Sequence, residues 1–81
     1  MKLFIINAQS LGRAIRDVRI QKGLTQAELG LLVQMHQKDI SIIENNAGNT
    51  KLSRLLTLCA RLELKIIIED DISPIVNEDL W

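Results

Sequence analysis

The sequence has very few of the residues that build disulfides, metal sites and catalytic centres. Its 81 residues include one cysteine, one histidine, one proline, one tryptophan, one phenylalanine and no tyrosine. One cysteine excludes a disulfide within the chain, and a structural zinc ion needs about four ligands. No Ser/His/Asp, Cys/His or paired-carboxylate arrangement is visible. We therefore expect neither an enzyme nor a bound cofactor or metal.

Long apolar runs are missing as well. No stretch approaches the ~18 apolar residues of a membrane span. The apolar run at residues 3–6 is too short for the core of a secretion signal, and no small-residue cleavage site follows it. We therefore expect a cytoplasmic protein without membrane contact. The 47% hydrophobic content is aliphatic, with only 2% aromatic residues, which is typical of one small helical domain.

The formal net charge of zero hides an uneven distribution along the chain. Residues 7–62 carry eight basic and four acidic side chains, a charge of +4, whereas residues 63–81 carry one and six, a charge of −5. A positive body suits a polyanion such as nucleic acid. The acidic segment would be repelled by it and should face away or bind another partner. Ordinary solvated surfaces are the alternative explanation of both charges.

Apolar spacing predicts four helices. Asn7 can cap the first, which runs to about Gln21 before Gly23 ends it. Residues 45–50, NNAGNT, form a loop by composition, and Thr50 can cap the fourth helix. Cys59 is expected to be a small core residue of that helix rather than a nucleophile. The residues predicted to face the core are Leu11, Ala14, Ile15 and Val18 in the first helix and Leu52, Leu55, Leu56, Cys59 and Leu62 in the fourth.

Residues 25–44 contain the most informative pattern, two short amphipathic helices joined by a tight turn. Thr25 followed by Glu28 is a capping box, and His36 is the candidate cap of the next helix. The first of the two presents Leu29, Leu32 and Val33 on one apolar face, and the second turns Ile40 and Ile43 inward. The residues left to face outward are Gln37, Lys38, Asp39, Ser41 and Ile42. This is the geometry of a helix-turn-helix reader of the DNA major groove.

A strand is predicted over residues 64–69, LKIIIE, with a second short strand or arm at residues 1–6. Such short strands are not stable alone and expose unpaired edges. Pairing between two protomers solves both problems and gives a two-fold dimer. The predicted organisation is therefore residues 1–6 as an arm or strand, 7–62 as the helix-turn-helix domain, 63–70 as the dimerisation strand and 71–81 as an acidic tail.

The motifs TQAEL, QKDIS and IENN closely resemble the Xre/Cro-type helix-turn-helix pattern. Beyond them, a polar loop ending in NT, a leucine-rich helix, LEL, a strand and an acidic tail ending in Trp resemble the HipB-type antitoxins over nearly the full length. The resemblance implies a mainly α, lambda-repressor-like domain of four to five short helices, with a C-terminal strand forming an intersubunit β-sheet. It also implies a homodimer that binds a palindromic operator, represses its own toxin–antitoxin operon and complexes a HipA-like serine/threonine kinase. In some related systems a further small antitoxin protein neutralises the toxin.

The resemblance implies roles for individual residues. Gln26 corresponds to a phosphate-clamping glutamine, while Asp39 and Gln34 depart from the pattern, the second by replacing a turn glycine. An acid such as Asp39 repels phosphates unless it accepts a hydrogen bond from a cytosine amino group. The DNA-binding residues are expected to be Thr25, Gln26, His36, Gln37, Lys38, Ser41, Asn45 and Asn46. The dimerisation residues are expected to be Leu64, Ile66, Ile67 and Ile68, and the partner-binding residues Ile75, Leu80 and Trp81.

Other interpretations remain at this stage. Arg13, Arg16 and Arg19 are more often a solvated helix face than a binding site. The chain can also be a helix-turn-helix module for protein interaction, or a general transcriptional regulator without a toxin partner. Asp39 and the neutral net charge favour a module that does not bind DNA, whereas Gln26, Lys38 and the positive body oppose it.

Overall fold

A computed structural model describes residues 2–70. Within that range the chain forms four α-helices: α1 (Ala8–Gln21), α2 (Gln26–Val33), α3 (Gln37–Asn45) and α4 (Leu52–Arg61). A short 3-10 helix, Ala47–Asn49, connects α3 to α4. The mainly helical architecture predicted from the sequence is confirmed. The predicted tail residues Ile75, Leu80 and Trp81 lie outside the described residues.

Two of the helices begin with the caps that the sequence predicts. The Asn7 side chain accepts a hydrogen bond from the Ser10 backbone N–H at 2.8 Å, and the Ser10 hydroxyl accepts from the Asn7 N–H at 3.0 Å. Thr25 and Glu28 form the same reciprocal pair at 3.0 Å in each direction. Hydrogen bonds from the Thr25 backbone and side chain lower the pKa of Glu28. The start of α2 is therefore fully capped at neutral pH, and the cap weakens as acid protonates Glu28.

The turn between α2 and α3 is tight and rests on two unusual positions. Gln34 adopts the left-handed conformation with φ 56°, which glycine adopts most easily. Met35 donates its N–H to the Gly30 carbonyl at 2.8 Å. A Cβ at Gly30 would lie 2.5 Å from the Met35 carbonyl oxygen, so only glycine lets the turn fold back this closely. His36 occupies the N-cap of α3 as predicted, but its side chain makes no capping hydrogen bond.

The core lies where all four helices meet. Ile15, Leu29, Ile40, Leu58 and Leu62 are its largest fully buried side chains. Most of the positions predicted to face inward are buried, whereas Leu58 was not among them. Leu32, Leu52 and Leu56 were expected inward but are 45%, 66% and 46% exposed.

Helix α4 differs from the prediction in its start and in its buried face. It begins one residue later than predicted, because Lys51 and not Thr50 is its N-cap. Leu55, Leu58, Cys59 and Leu62 form the buried stripe, which has the three- and four-residue spacing of one helix face. Leu52 and Leu56 lie to one side of that stripe. The cysteine is buried as expected, and burial raises the pKa of its thiol, so it is protonated at neutral pH.

Residues 3–6 and 64–70 have no regular secondary structure in the single chain. Leu64 donates its N–H to the Cys59 carbonyl at 2.8 Å and packs partly against the core of its own chain. Ile66, Ile67 and Ile68 are 54%, 68% and 95% exposed. A strand needs a neighbouring strand to pair with, and the described part of one chain supplies none. The strand over residues 64–69 therefore stays a prediction. None of the helices within residues 2–70 is long and apolar enough to cross a membrane.

Candidate nucleic-acid interface

Helix α3 presents a polar face that no other element within residues 2–70 covers. Gln37, Lys38 and Asn45 are exposed, and Ser41 is half-buried between them. The opposite side of the helix is held in the core by the buried residues Ile40 and Ile43. The outward side chains are therefore hydrogen-bonding groups on a helix whose orientation is fixed, which is what reading base edges in a major groove requires.

A buried ion pair fixes the position of α3 relative to α1 and α2. Arg19 donates from Nε to Glu44 Oε2 at 2.6 Å and from Nη2 to Glu44 Oε1 at 3.0 Å, and its Nη1 donates to the Leu24 carbonyl at 2.7 Å. Glu44 also accepts from Gln26 Nε2 at 3.1 Å. The side-chain exposures of the arginine and the glutamate are only 10% and 3%. One carboxylate thus joins three helical segments and orients the amide at the start of α2.

Gly12 brings α1 unusually close to α3. A Cβ at this position would overlap the carbonyl oxygen of Ile43 and lie 2.7 Å from that of Glu44. The absence of a side chain therefore lets the two helix backbones touch. The exposed residues Arg13 and Arg16 follow Gly12 on α1, so this close approach places their guanidinium groups beside α3.

Two grooves of similar size flank α3. The groove on the α1 and α2 side has a volume of about 330 Å³ and is strongly polar. Its lining residues are Gln9, Arg13, Arg16, Gln26, Ser41, Glu44 and Asn45. The groove on the α4 side has a volume of about 340 Å³. Its lining residues are Met35, Asp39, Ile42, Ile43, Asn49, Thr50, Lys51 and Arg54.

Both grooves contain cations, and the charges suit nucleic acid. Arg13 and Arg16 lie in one groove, Lys51 and Arg54 in the other, and Lys38 is exposed on α3 between them. A helix inserted in a major groove has one phosphate backbone on each side. Basic grooves on both flanks of α3 match that arrangement.

The structure shows where each residue expected to bind DNA lies. Gln26 and Ser41 share the groove beside α1, together with Asn45. Thr25 and Asn46 are partly engaged in the fold, because the Thr25 hydroxyl oxygen accepts from the Glu28 N–H and the Asn46 side-chain oxygen accepts from the Gly48 N–H at 2.8 Å. The asparagine amide hydrogens and the threonine hydroxyl hydrogen are the groups left to donate. Their roles, with those of His36, Gln37 and Lys38, remain predictions.

The sequence analysis missed residues that the fold places beside this face. Arg13 and Arg16 were interpreted as a solvated surface, and Lys51, Arg54 and Ile42 were given no role. The arginines lie three residues apart on the side of α1 that follows Gly12. A glycine inside a helix was the available signal, since it often marks a close backbone approach. Nothing in the sequence shows that Lys51 and Arg54 face α3.

Comparison with known proteins identifies the class first. A helix-turn-helix family model matches residues 15–67, which include the whole of α2, α3 and α4. The chain is therefore a helix-turn-helix protein. The antitoxin HipB of Escherichia coli strain K12 is 36% identical to it over 66 residues, covering 82% of this chain and 75% of HipB.

Solved structures agree with this match. A HipB–O2 20mer complex superposes with a TM-score of 0.78 at 35% identity and covers 89% of this chain and 100% of the HipB chain. A HipA–HipB–O2–O3 complex superposes with a TM-score of 0.76 at 35% identity, covering 85% and 97%. The chain belongs to the HipB antitoxin family.

Proposed function

We propose that this chain is a sequence-specific DNA-binding antitoxin that represses its own toxin–antitoxin operon. One observation supports the DNA-binding part above all: the polar face of α3 lies between two grooves that both contain cations. Its relative HipB has been solved in complex with an O2 20mer and with HipA. Residues 2–70 contain no cluster of histidine, cysteine and acidic side chains able to hold a metal ion.

Different parts of the interface have different tasks in this proposal. Gln37, Lys38 and Ser41 contact base edges from α3, since these side chains offer the donors and acceptors that distinguish base pairs. Gln26 contacts a phosphate, and its amide is held in place by Glu44. Arg13, Arg16, Lys51 and Arg54 are added here as phosphate contacts on the two flanks. The net positive charge belongs to residues 7–62, which leaves the acidic segment after residue 62 free for a second partner.

The base-reading and phosphate-binding residues should differ in how they affect specificity. Lys38→Ala and Gln37→Ala should each weaken operator binding by about 1–3 kcal/mol and leave binding to random DNA nearly unchanged. Gln26→Ala should weaken both DNAs to the same extent, because a phosphate contact carries no sequence information. The measurement is gel shift or fluorescence anisotropy on DNA from upstream of the chain's own gene and on a scrambled duplex.

Lys22→Ala is the matched control for the loss of a positive charge. Its amino group lies 3.5 Å from the Glu63 carboxylate and lines neither groove beside α3. Operator affinity should stay close to that of the original chain. Equal losses on operator and scrambled DNA for Lys38→Ala, Gln37→Ala and Gln26→Ala would contradict the division of roles. A chain with no preference for its upstream DNA would instead indicate a module for protein interaction.

The dimer in this proposal is built by residues 64–69. Ile66, Ile67 and Ile68 are exposed in succession, and so much apolar surface on a short segment favours pairing with a second copy. An intersubunit antiparallel sheet would cover these side chains. It would also relate two copies of α3 by a two-fold axis, with the two helices about one helical turn of DNA or 10 bp apart. Sedimentation should therefore give a dimer, and a chain that sediments as a monomer at micromolar concentration would disprove it.

The second partner is proposed to be a HipA-like serine/threonine kinase bound through the acidic tail. Ile75, Leu80 and Trp81 supply apolar anchors in an acidic segment, which suits a groove with a basic rim, and tryptophan is the commonest hot-spot residue at interfaces. Trp81→Ala should weaken kinase binding by about 2 kcal/mol or more, measured by calorimetry. Operator affinity should not change, because this segment carries negative charge. Undiminished kinase affinity in this variant would refute the assignment of Trp81.

A further inference from the structure

Ile42 is an apolar side chain within the polar face of α3. It is 50% exposed and lies one helical turn after Lys38, so the two side chains are neighbours on the helix surface. Asn45, three residues after Ile42, is a further exposed neighbour and carries an amide. A single exposed isoleucine needs no special explanation on an ordinary surface. On a helix that would enter a major groove, however, it meets a base edge and not water.

The surroundings of Ile42 are apolar on one side and cationic on the other. It lines the groove on the α4 side together with Met35 and Ile43, which make the inner wall apolar. Lys51 and Arg54 line the same groove and carry positive charge, and the half-buried Asp39 adds one negative charge to it. The lining therefore keeps a net charge of +1, which suits an occupant that combines an apolar group near α3 with negative charge.

Thymidine in duplex DNA has this combination. The C5-methyl of thymine is the one apolar group that base pairs present in the major groove, and apolar side chains contact it. Cytosine lacks this methyl group and has an amino group at C4 where thymine has a carbonyl oxygen, and the phosphates of the strand follow the edge of the groove. Lys51 and Arg54 can bind those phosphates while the isoleucine side chain packs against the base.

We propose that Ile42 is a specificity-determining residue that packs against the C5-methyl of one thymine in each half-site. This inference rests on operator binding as proposed above and adds to it one base preference. Amide and lysine side chains on α3 read hydrogen-bonding edges, whereas Ile42 reads the presence of a methyl group. It therefore adds a preference for thymine over cytosine at one position through the methyl group, independently of any hydrogen bond to thymine O4 or cytosine N4.

Replacing thymidine by deoxyuridine tests this directly, because it removes the methyl group and leaves every base-pair hydrogen bond in place. The probe is a duplex from upstream of the chain's own gene, with deoxyuridine introduced at one symmetric pair of thymines at a time. At one such pair the original chain should bind about fourfold more weakly per half-site, which corresponds to burial of one methyl group. Other pairs should have little effect.

The protein variants complete a double-mutant cycle with the DNA. Ile42→Ala should bind the thymine duplex about fourfold more weakly per half-site and should no longer distinguish thymine from deoxyuridine at that pair. Ile42→Val keeps a branched side chain at Cβ and should still distinguish them. Leu56→Ala, at a leucine that is 46% exposed on α4 and lines neither groove, controls for loss of an exposed apolar side chain and should behave as the original chain.

The outcomes separate this inference from the proposed function. If Ile42→Ala still distinguishes the two duplexes, or if no thymine pair responds in the original chain, Ile42 does not read a methyl group although DNA binding stands. If the original chain shows no preference for its upstream DNA, the proposed function fails and this inference fails with it. Circular dichroism of Ile42→Ala should match the original chain, since the side chain is not part of the core.

Discussion

Replacing Glu44 by alanine is expected to destabilise the fold by about 3–5 kcal/mol. The carboxylate accepts three hydrogen bonds, two from Arg19 and one from Gln26, at 2.6 to 3.1 Å. Its removal leaves Arg19, a residue only 9% exposed, without a counter-charge, because only the Leu24 carbonyl remains as a partner of its guanidinium group. Small domains unfold with a free energy of about 5–15 kcal/mol, so this loss is a large part of the total. Urea denaturation should show a lower midpoint with an unchanged slope.

The exposed ion pair of the same chain is the natural control. Lys22 and Glu63 lie 3.5 Å apart, and the glutamate side chain is 83% exposed. Lys22→Ala should therefore cost no more than about 1 kcal/mol. Replacing Arg19 and Glu44 together by leucine should recover much of the stability, since no unpaired charge is then buried. A Glu44→Ala variant as stable as Lys22→Ala would mean that the buried pair contributes little to holding α3 against α1.

Gly12→Ala should also destabilise the domain, although alanine is the better helix former by about 1 kcal/mol. The added Cβ would overlap the Ile43 carbonyl oxygen, and both groups belong to helix backbones that cannot move separately. Helix α1 must therefore shift away from α3, and overpacking of this kind costs about 1–3 kcal/mol. For a domain of this size, each kcal/mol lowers the melting temperature by roughly 4–8 °C, which thermal denaturation measures easily.

Gly23→Ala is the control for Gly12→Ala, because it replaces a glycine at a position where the added Cβ overlaps no other atom. Gly23 has φ +73°, and no heavy atom lies within 4 Å of a Cβ built there. Alanine at this position should lower the free energy of unfolding only by the cost of the left-handed backbone conformation, about 1–2 kcal/mol. The two variants should also differ on DNA, because only a shift of α1 moves Arg13 and Arg16 away from α3. A Gly12→Ala chain with undiminished stability would show that the close approach of the two helices is not required.

Local signals in this sequence predicted most of the helix starts, and tertiary contacts explain the errors. The Asn7 and Thr25 caps involve neighbours within three residues, so the pattern alone identifies them. The start of α4 was wrong by one residue, because Thr50 ends the 3-10 helix and Lys51 has no side-chain cap to reveal it. The exposed positions of Leu52 and Leu56 follow from which leucines fit the core, which spacing in one helix cannot decide.

The candidate site was predictable on α3 and much less so on its flanks. Gln37 and Lys38 lie on the outward side of α3, because the buried isoleucines of that helix face the core. Of Arg13, Arg16 and Arg19, only Arg19 is buried. Its partner Glu44 lies 25 residues further along the chain, so the residues around Arg19 do not reveal the ion pair. The groove containing Lys51 and Arg54 depends on how α4 returns past α3, which only the folded chain reveals.

The buried thiol of Cys59 is a natural probe of local unfolding in α4. It is the chain's one cysteine and is 3% exposed in the stripe by which α4 packs on the core. A thiol-reactive probe can reach it only when that packing is broken, so the labelling rate in the native state measures the free energy of opening α4. No cysteine has to be added to the chain for this measurement. A ligand that binds across α3 and the start of α4 should slow the labelling in proportion to its saturation, whereas a partner that contacts the tail alone should leave the rate as it was.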